Sequence, residues 1–105
     1  MKKQLLKIGD FAPENPFFLA PLAGITDAPT RRIAHEAGAA VTYSEMISGK
    51  GLLYGDRNTE RLLSIYEDEG PVAYQIFGCE PDVMEYTART LAPRRNQWID
   101  INMGC

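Results

Sequence analysis

Gln97-Trp98-Ile99-Asp100-Ile101-Asn102-Met103-Gly104-Cys105 is an apolar, β-branched and aromatic run that ends on a side-chain amide, a glycine and a thiol. Such a run predicts a strand over 97–101. In a parallel β/α architecture, reactive side chains sit just past the C-terminal ends of the strands, so this strand would deliver Asn102 and, through a tight turn at Gly104, Cys105 to a functional mouth. The rest of the chain then reads as scaffold for that mouth.

Working back from this strand, Pro81 suits the first turn of a helix that carries Val83, Met84, Thr87, Ala88 and Leu91 on one stripe and stops at Pro93. Before it, Pro71 to Phe77 forms a strand bounded by Gly70 and Gly78. The connection before that is longer and reads as two helical pieces, Ile47 to Tyr54 and Asn58 to Tyr66, broken at Gly55 and Asp56. Ala39 to Tyr43 predicts a strand that ends in the polar Ser44-Glu45-Met46. A helix from Asp27 to Ala37 precedes it, capped by Thr26 or Asp27 and closed by Gly38. Its spacing places Ile33 and Ala37 on one face, with Arg31, Arg32 and Glu36 elsewhere. Phe17 to Ala20, between Pro16 and Pro21, reads as a strand buried on both faces. The lead-in from Met1 to Asn15 holds at most one strand, over 5–8.

Composition bounds the answer. The chain has 105 residues, 45% hydrophobic and 24% charged, which fits one small soluble globular unit and excludes disordered and fibrous classes. Its net charge is −3, so no global basic field draws in nucleic acid. The apolar run from Phe17 to Ala23 is broken by Pro21 and is far short of the roughly 20 residues a membrane span needs. No secretion signal follows Lys2 and Lys3. Cys79 and Cys105 are too few and too far apart for a disulfide framework or a zinc site, so no metal is expected and a reducing cytoplasm is the expected location. Nothing in the sequence calls for a protein partner.

Strands alternating with helices at about thirty-residue spacing point to right-handed βαβ units and a parallel sheet. Two architectures remain open on pattern alone. A doubly wound sheet often carries GxGxxG after its first strand, and Pro21-Leu22-Ala23-Gly24-Ile25-Thr26 does not. A (β/α)₈ barrel needs no such turn there, but takes about 250 residues, so this chain would be its N-terminal half, cut at the end of the fourth strand.

Ala20-Pro21-Leu22-Ala23-Gly24-Ile25-Thr26-Asp27, Tyr43-Ser44-Glu45-Met46, Gln75-Ile76-Phe77-Gly78 and Asp100-Ile101-Asn102-Met103-Gly104-Cys105 together resemble the tRNA-dihydrouridine synthases in order and spacing. The resemblance runs from Phe17 to Cys105. It implies an FMN-binding (β/α)₈ barrel that reduces uridine in tRNA to 5,6-dihydrouridine with electrons from NADPH. It further implies that Pro21, Leu22 and Ala23 lie along the flavin, that Gln75 bonds the pyrimidine edge of its ring, and that Asn102 sits beside flavin and target base. Cys105 would then be the proton donor. Reduction of the uracil C5=C6 bond needs a hydride at C6 and a proton at C5, and a thiol with a pKa of roughly 8.5 is mostly protonated at neutral pH. Glu45, at a strand end facing the mouth, is a further candidate for contact with substrate or flavin.

Other residues have plainer readings. Cys79 is expected to be structural, His35 a surface or satisfied mid-helix residue, and Arg57, Arg61, Arg94 and Arg95 solvated, with contact to tRNA phosphates as the alternative. Leu22 stands where the family often has methionine. The family's later flavin-binding lysine, glycine-rich phosphate loops and helical tRNA-binding domain have no counterpart in these residues. The expectation is therefore one partial domain over 1–105 that is inactive alone, with the activity belonging to a complete chain. Half of another FMN barrel, such as a dihydroorotate dehydrogenase relative, and a non-catalytic fragment are the alternatives.

Overall fold

A computed structural model of the protein describes residues 6–104. Strands and helices alternate as β1 (Phe18–Leu19), α1 (Ala28–Glu36), β2 (Val41–Ser48), α2 (Gly49–Leu53), α3 (Arg57–Leu62), β3 (Val72–Phe77), α4 (Pro81–Leu91) and β4 (Ile99–Ile101). Within the four-stranded sheet every pairing is parallel, and the order is β1-β2-β3-β4. Each strand thus lies beside its sequence neighbour, without the reversal of order that defines a doubly wound sheet. This is half of a (β/α)₈ barrel.

Its curvature is visible in the aromatic side chains. The Trp98 ring, just before β4, lies 6.1 Å from Phe18 on β1 and 6.0 Å from Tyr43 on β2, and Phe11 from the lead-in approaches it at 6.2 Å. With strands about 4.8 Å apart, three intervals of flat sheet would hold the edge strands roughly 14 Å from each other. The rings meet because the sheet curls and side chains on its concave face converge. The convex face carries the apolar core: Ile47, Tyr74 and Ile76 pack with Leu52, Leu63 and Leu91 from the helical layer, with Leu62, Ile65, Met84 and Ile99 around them.

Helix boundaries follow local chemistry. The Asp27 carboxylate accepts the Thr30 N–H at 3.1 Å and caps α1, Pro29 occupies its first turn, and Gly38 at φ +120° leaves it. Pro81 opens α4, whose Thr87 and Leu91 are buried.

Several boundaries and faces differ from the sequence expectation. β2 runs on through Glu45 and Met46 to Ser48, so Ile47 and Ser48 belong to the strand and not to a helix. The second helical piece is Arg57–Leu62 and stops short of Tyr66. β1 is two residues long and half-buried, because as an edge strand it has a neighbour on one side only. Ile8 joins only an isolated antiparallel bridge to Phe11, and residue 5 of the expected lead-in strand lies outside the described residues. On α1 the faces are exchanged: Ala28 and Arg31 are buried, while Ile33 is 67% exposed. Periodicity treats arginine as a surface residue, whereas Arg31 is held inside by Glu69, whose position 38 residues later no local pattern reveals. Among the described residues no helix is long and apolar enough to cross a membrane.

Candidate functional site

A bulge in β2 builds the mouth. Tyr43 pairs with Ala73 and Met46 with Gln75, so three steps on β2 match two on β3. The extra residue breaks the ladder, and Ser44 mends it: its Oγ accepts the Gln75 N–H at 3.0 Å and donates to the Glu45 carbonyl at 2.9 Å. The bulge lets Tyr43 and Met46 both serve the concave face. Glu45, beside them, sends its carboxylate to the loop after β1, where Oε1 accepts the Gly24 N–H at 2.7 Å.

On β3 and β4 the period-two alternation sets Gln75 opposite Asp100, and their side chains meet, Gln75 Nε2 donating to Asp100 Oδ2 at 2.6 Å. Asn102 continues the ladder, its N–H donating to the Ile76 carbonyl at 2.9 Å. Its side-chain amide donates to Gln75 Oε1 at 3.3 Å and approaches Met46 Sδ at 3.2 Å. Its Oδ1 accepts the Gly104 N–H at 3.0 Å, so the turn expected at Gly104 is made by the Asn102 side chain. Cys105 lies outside the described residues.

The loop from Pro21 to Asp27 stands over this row. Thr26 is fully buried and clasps Leu22 from both sides: the Leu22 N–H donates to Thr26 Oγ1 at 3.1 Å, and Thr26 Oγ1 donates to the Leu22 carbonyl at 3.2 Å. Leu22 is 52% exposed, and the Ala23 N–H makes no hydrogen bond among the described residues. A cavity of about 640 Å³ opens between Ala23, Gly24, Glu45, Met46, Arg61 and Phe77. A second, of about 370 Å³, has Lys50, Cys79 and Asn102 on its wall.

Sequence-named residues thus fall into two groups. Pro21, Leu22, Ala23, Glu45, Gln75 and Asn102 share the C-terminal end of the strands. The arginines divide: Arg61 lines a mouth cavity and bonds Asn58, Arg94 lies 3.8 Å from Glu60, and Arg95 donates to the Glu67 carbonyl. Cys79 is exposed on the loop after β3, which corrects its reading as a structural thiol. His35 is satisfied, with Nδ1 2.9 Å from the Ala39 carbonyl oxygen.

Asp100, Met46 and Ser44 were missed as parts of this row. A signal existed for Asp100, since a carboxylate two residues from Trp98 in a strand must share its face. The other two depend on the bulge, which has no local sequence mark. Asp100 also acts on Tyr43, whose phenol is held above its ordinary pKa first by burial and then by that carboxylate. Among the described residues no cluster of His, Cys, Asp or Glu could hold a metal ion.

Comparison with known proteins gives the family. The dihydrouridine synthase (Dus) family model matches residues 18–105. The tRNA-dihydrouridine synthase B of Pasteurella multocida is 41% identical over 100 residues, covering 95% of this chain and 30% of that protein. The Escherichia coli K12 protein of the same name is 40% identical over 101 residues, and a probable tRNA-dihydrouridine synthase of Treponema pallidum 39% over 101. The chain therefore spans about 30% of the length of the curated relatives it matches. With four parallel strands alternating with helices in barrel order and a family match over nearly the whole chain, this protein belongs to the dihydrouridine synthase family.

Proposed function

We propose that this chain forms the N-terminal half of the catalytic barrel of an FMN-dependent tRNA-dihydrouridine synthase that uses NADPH, the rest of the barrel and the tRNA-binding region being supplied by further sequence. One observation carries the reading: the loop at 21–24, Glu45, Gln75 and Asn102, on or just after four separate strands, converge at the C-terminal end of the sheet. The open sheet supports the need for a second half, since among the described residues β1 and β4 are its edges and Ile101 on β4 is 56% exposed.

The residues present suit a flavin. Its pyrimidine edge alternates acceptors and a donor, and Gln75 Nε2 keeps a second hydrogen beyond the one given to Asp100. The unpaired Ala23 N–H offers a backbone donor, and Leu22 offers an apolar contact at the same end. When bound, FMN supplies the hydride that uridine receives at C6. Pro21 to Ala23 and Gln75 would hold the cofactor, Asn102 would orient cofactor and base, and the Cys105 thiol would give its Sγ proton to C5. Protein acids in position contribute about 10² to 10⁴ in rate. The names of the relatives carry tRNA and dihydrouridine, whose unreduced precursor is uridine in tRNA.

The test is dihydrouridine formation in unmodified tRNA by the complete polypeptide containing this sequence, with Cys105→Ala alongside. Tight FMN, NADPH-driven reduction and at least a hundredfold loss in the variant with flavin retained are expected. A flavin-bound protein that leaves tRNA uridine untouched would overturn the substrate, and full activity in Cys105→Ala would overturn the acid.

A further inference from the structure

Arg31 is 1% exposed and Glu69 not at all, and Arg31 is the largest fully buried side chain among the described residues. Its guanidinium spends its donors on three segments. Nε and Nη2 reach the two carboxylate oxygens of Glu69 at 2.6 and 3.2 Å, Nη1 donates to the Thr26 carbonyl at 2.7 Å, and Nη2 also donates to the Ser64 carbonyl at 2.8 Å. Glu69 Oε2 in turn accepts the Tyr66 N–H at 2.7 Å. Through Thr26, whose hydroxyl clasps the Leu22 backbone, this buried pair is linked to the exposed tip of the loop after β1.

Burying an ion pair is costly, and apolar residues of similar volume often stabilise a core at least as well. A planar fork does something they cannot: it fixes the direction of a backbone carbonyl relative to two other segments. Here that carbonyl belongs to the residue whose side chain consumes the Leu22 N–H and C=O, which leaves the Ala23 N–H as the donor presented at the mouth. We infer that the Arg31–Glu69 pair is a positioning device for cofactor binding, which holds the Pro21–Thr26 loop in its flavin-facing shape through Thr26. This rests on the proposed flavin site and assigns it two residues that touch neither cofactor nor substrate.

The complete polypeptide is prepared as wild type, Arg31→Lys, Thr26→Val and, as a destabilised control at the other end of the strands, Leu91→Ala. Lysine keeps the charge but cannot bond Glu69, Thr26 and Ser64 together; valine keeps the shape of threonine without the hydroxyl. FMN affinity is measured by quenching of flavin fluorescence, and amide exchange of the flavin-free protein is followed at Leu22, Ile25 and Thr26. Arg31→Lys and Thr26→Val are both expected to weaken FMN at least tenfold and to lose protection at those three amides beyond any global change. Leu91→Ala is expected to lower the melting temperature with FMN affinity within twofold of wild type. If Arg31→Lys fails to fold, Thr26→Val carries the same comparison. Wild-type FMN affinity in Thr26→Val, or loop exchange that tracks only global stability, overturns this inference alone. A wild-type protein that binds no FMN overturns it together with the flavin site.

Discussion

Phe18 and Trp98 belong to opposite ends of the strand order, yet their rings lie 6.1 Å apart, tilted by 46°. The contact joins the first unit of the sheet to the last across its concave face, with Tyr43 set edge-on to the same indole. Tilted and edge-on aromatic pairs add about 0.5 to 1.5 kcal/mol each beyond the area they bury. Phe18→Ala is therefore expected to lower stability by about 2 kcal/mol, less than a fully buried aromatic would cost because both rings are only partly covered. The chain has one tryptophan, so fluorescence excited selectively at the indole reports this site alone. Phe18→Ala is expected to shift its emission to the red before any denaturant is added; unchanged emission would mean that the ring contact does not exist in solution.

How far the sequence carried this fold can be judged from α1 and the third strand. The Val72–Phe77 strand was legible because it is an apolar run, interrupted only by Gln75, between Gly70 and Gly78, and the burial of all its residues but the last follows from helices on one face and the concave cluster on the other. The face of α1 was not legible. Ile33 and Ala37 repeat at helical spacing, but the inward position went to Arg31, since an ion pair with Glu69 and bonds to two carbonyls offset its desolvation. At the site, Gln75 and Asn102 stood out through motif resemblance. Their coupling through Asp100 and Met46 required the register of β3 on β4 and the bulge in β2, both set by tertiary pairing.

Gly70 is constrained from both sides. Its φ is +84°, and a Cβ added there would lie 2.6 Å from three atoms of the His35 ring. The imidazole is anchored through Nδ1 to the Ala39 carbonyl and cannot swing away cheaply. Gly70→Ala is expected to cost about 2 to 4 kcal/mol, of which left-handed backbone strain alone accounts for roughly 1 to 2. The double variant Gly70→Ala with His35→Ala should recover part of that loss in denaturant unfolding. No recovery would place the whole cost in the backbone.

Alkaline pH should weaken the fold through tyrosine. Tyr74 is 2% exposed and donates its hydroxyl to the Leu63 carbonyl at 2.7 Å; burial first of all raises its pKa above the ordinary value of 10.0. A group that holds its proton more tightly when folded stabilises the native state in full below its unfolded pKa and loses that contribution as pH rises through the folded one. Stability is thus expected to be flat in tyrosine ionisation up to about pH 10 and to fall above it. Tyr74→Phe should cost about 1 kcal/mol at neutral pH by orphaning the Leu63 carbonyl, and should make the alkaline fall shallower. An identical alkaline slope in the variant would assign the fall to other groups.

Glu45 tests whether the mouth is built by the loop after β1 or merely decorated by it. Its Oε1 accepts the Gly24 N–H at 2.7 Å, a charged acceptor on a backbone donor, and Gly24 itself adopts φ +78° with open space around it. Charge-assisted bonds of this type contribute roughly 1.5 to 3 kcal/mol when well formed, less where solvent reaches them as it does here. Glu45→Gln keeps an acceptor of the same reach, whereas Glu45→Ala removes it and frees Gly24 to sample other conformations. In the complete polypeptide, Glu45→Ala is expected to weaken FMN about tenfold with a change in global stability below about 1 kcal/mol, and Glu45→Gln to recover most of that affinity. The two substitutions separate position from charge. If glutamine binds FMN as poorly as alanine, the carboxylate acts through its charge on cofactor or substrate, and its bond to Gly24 is incidental.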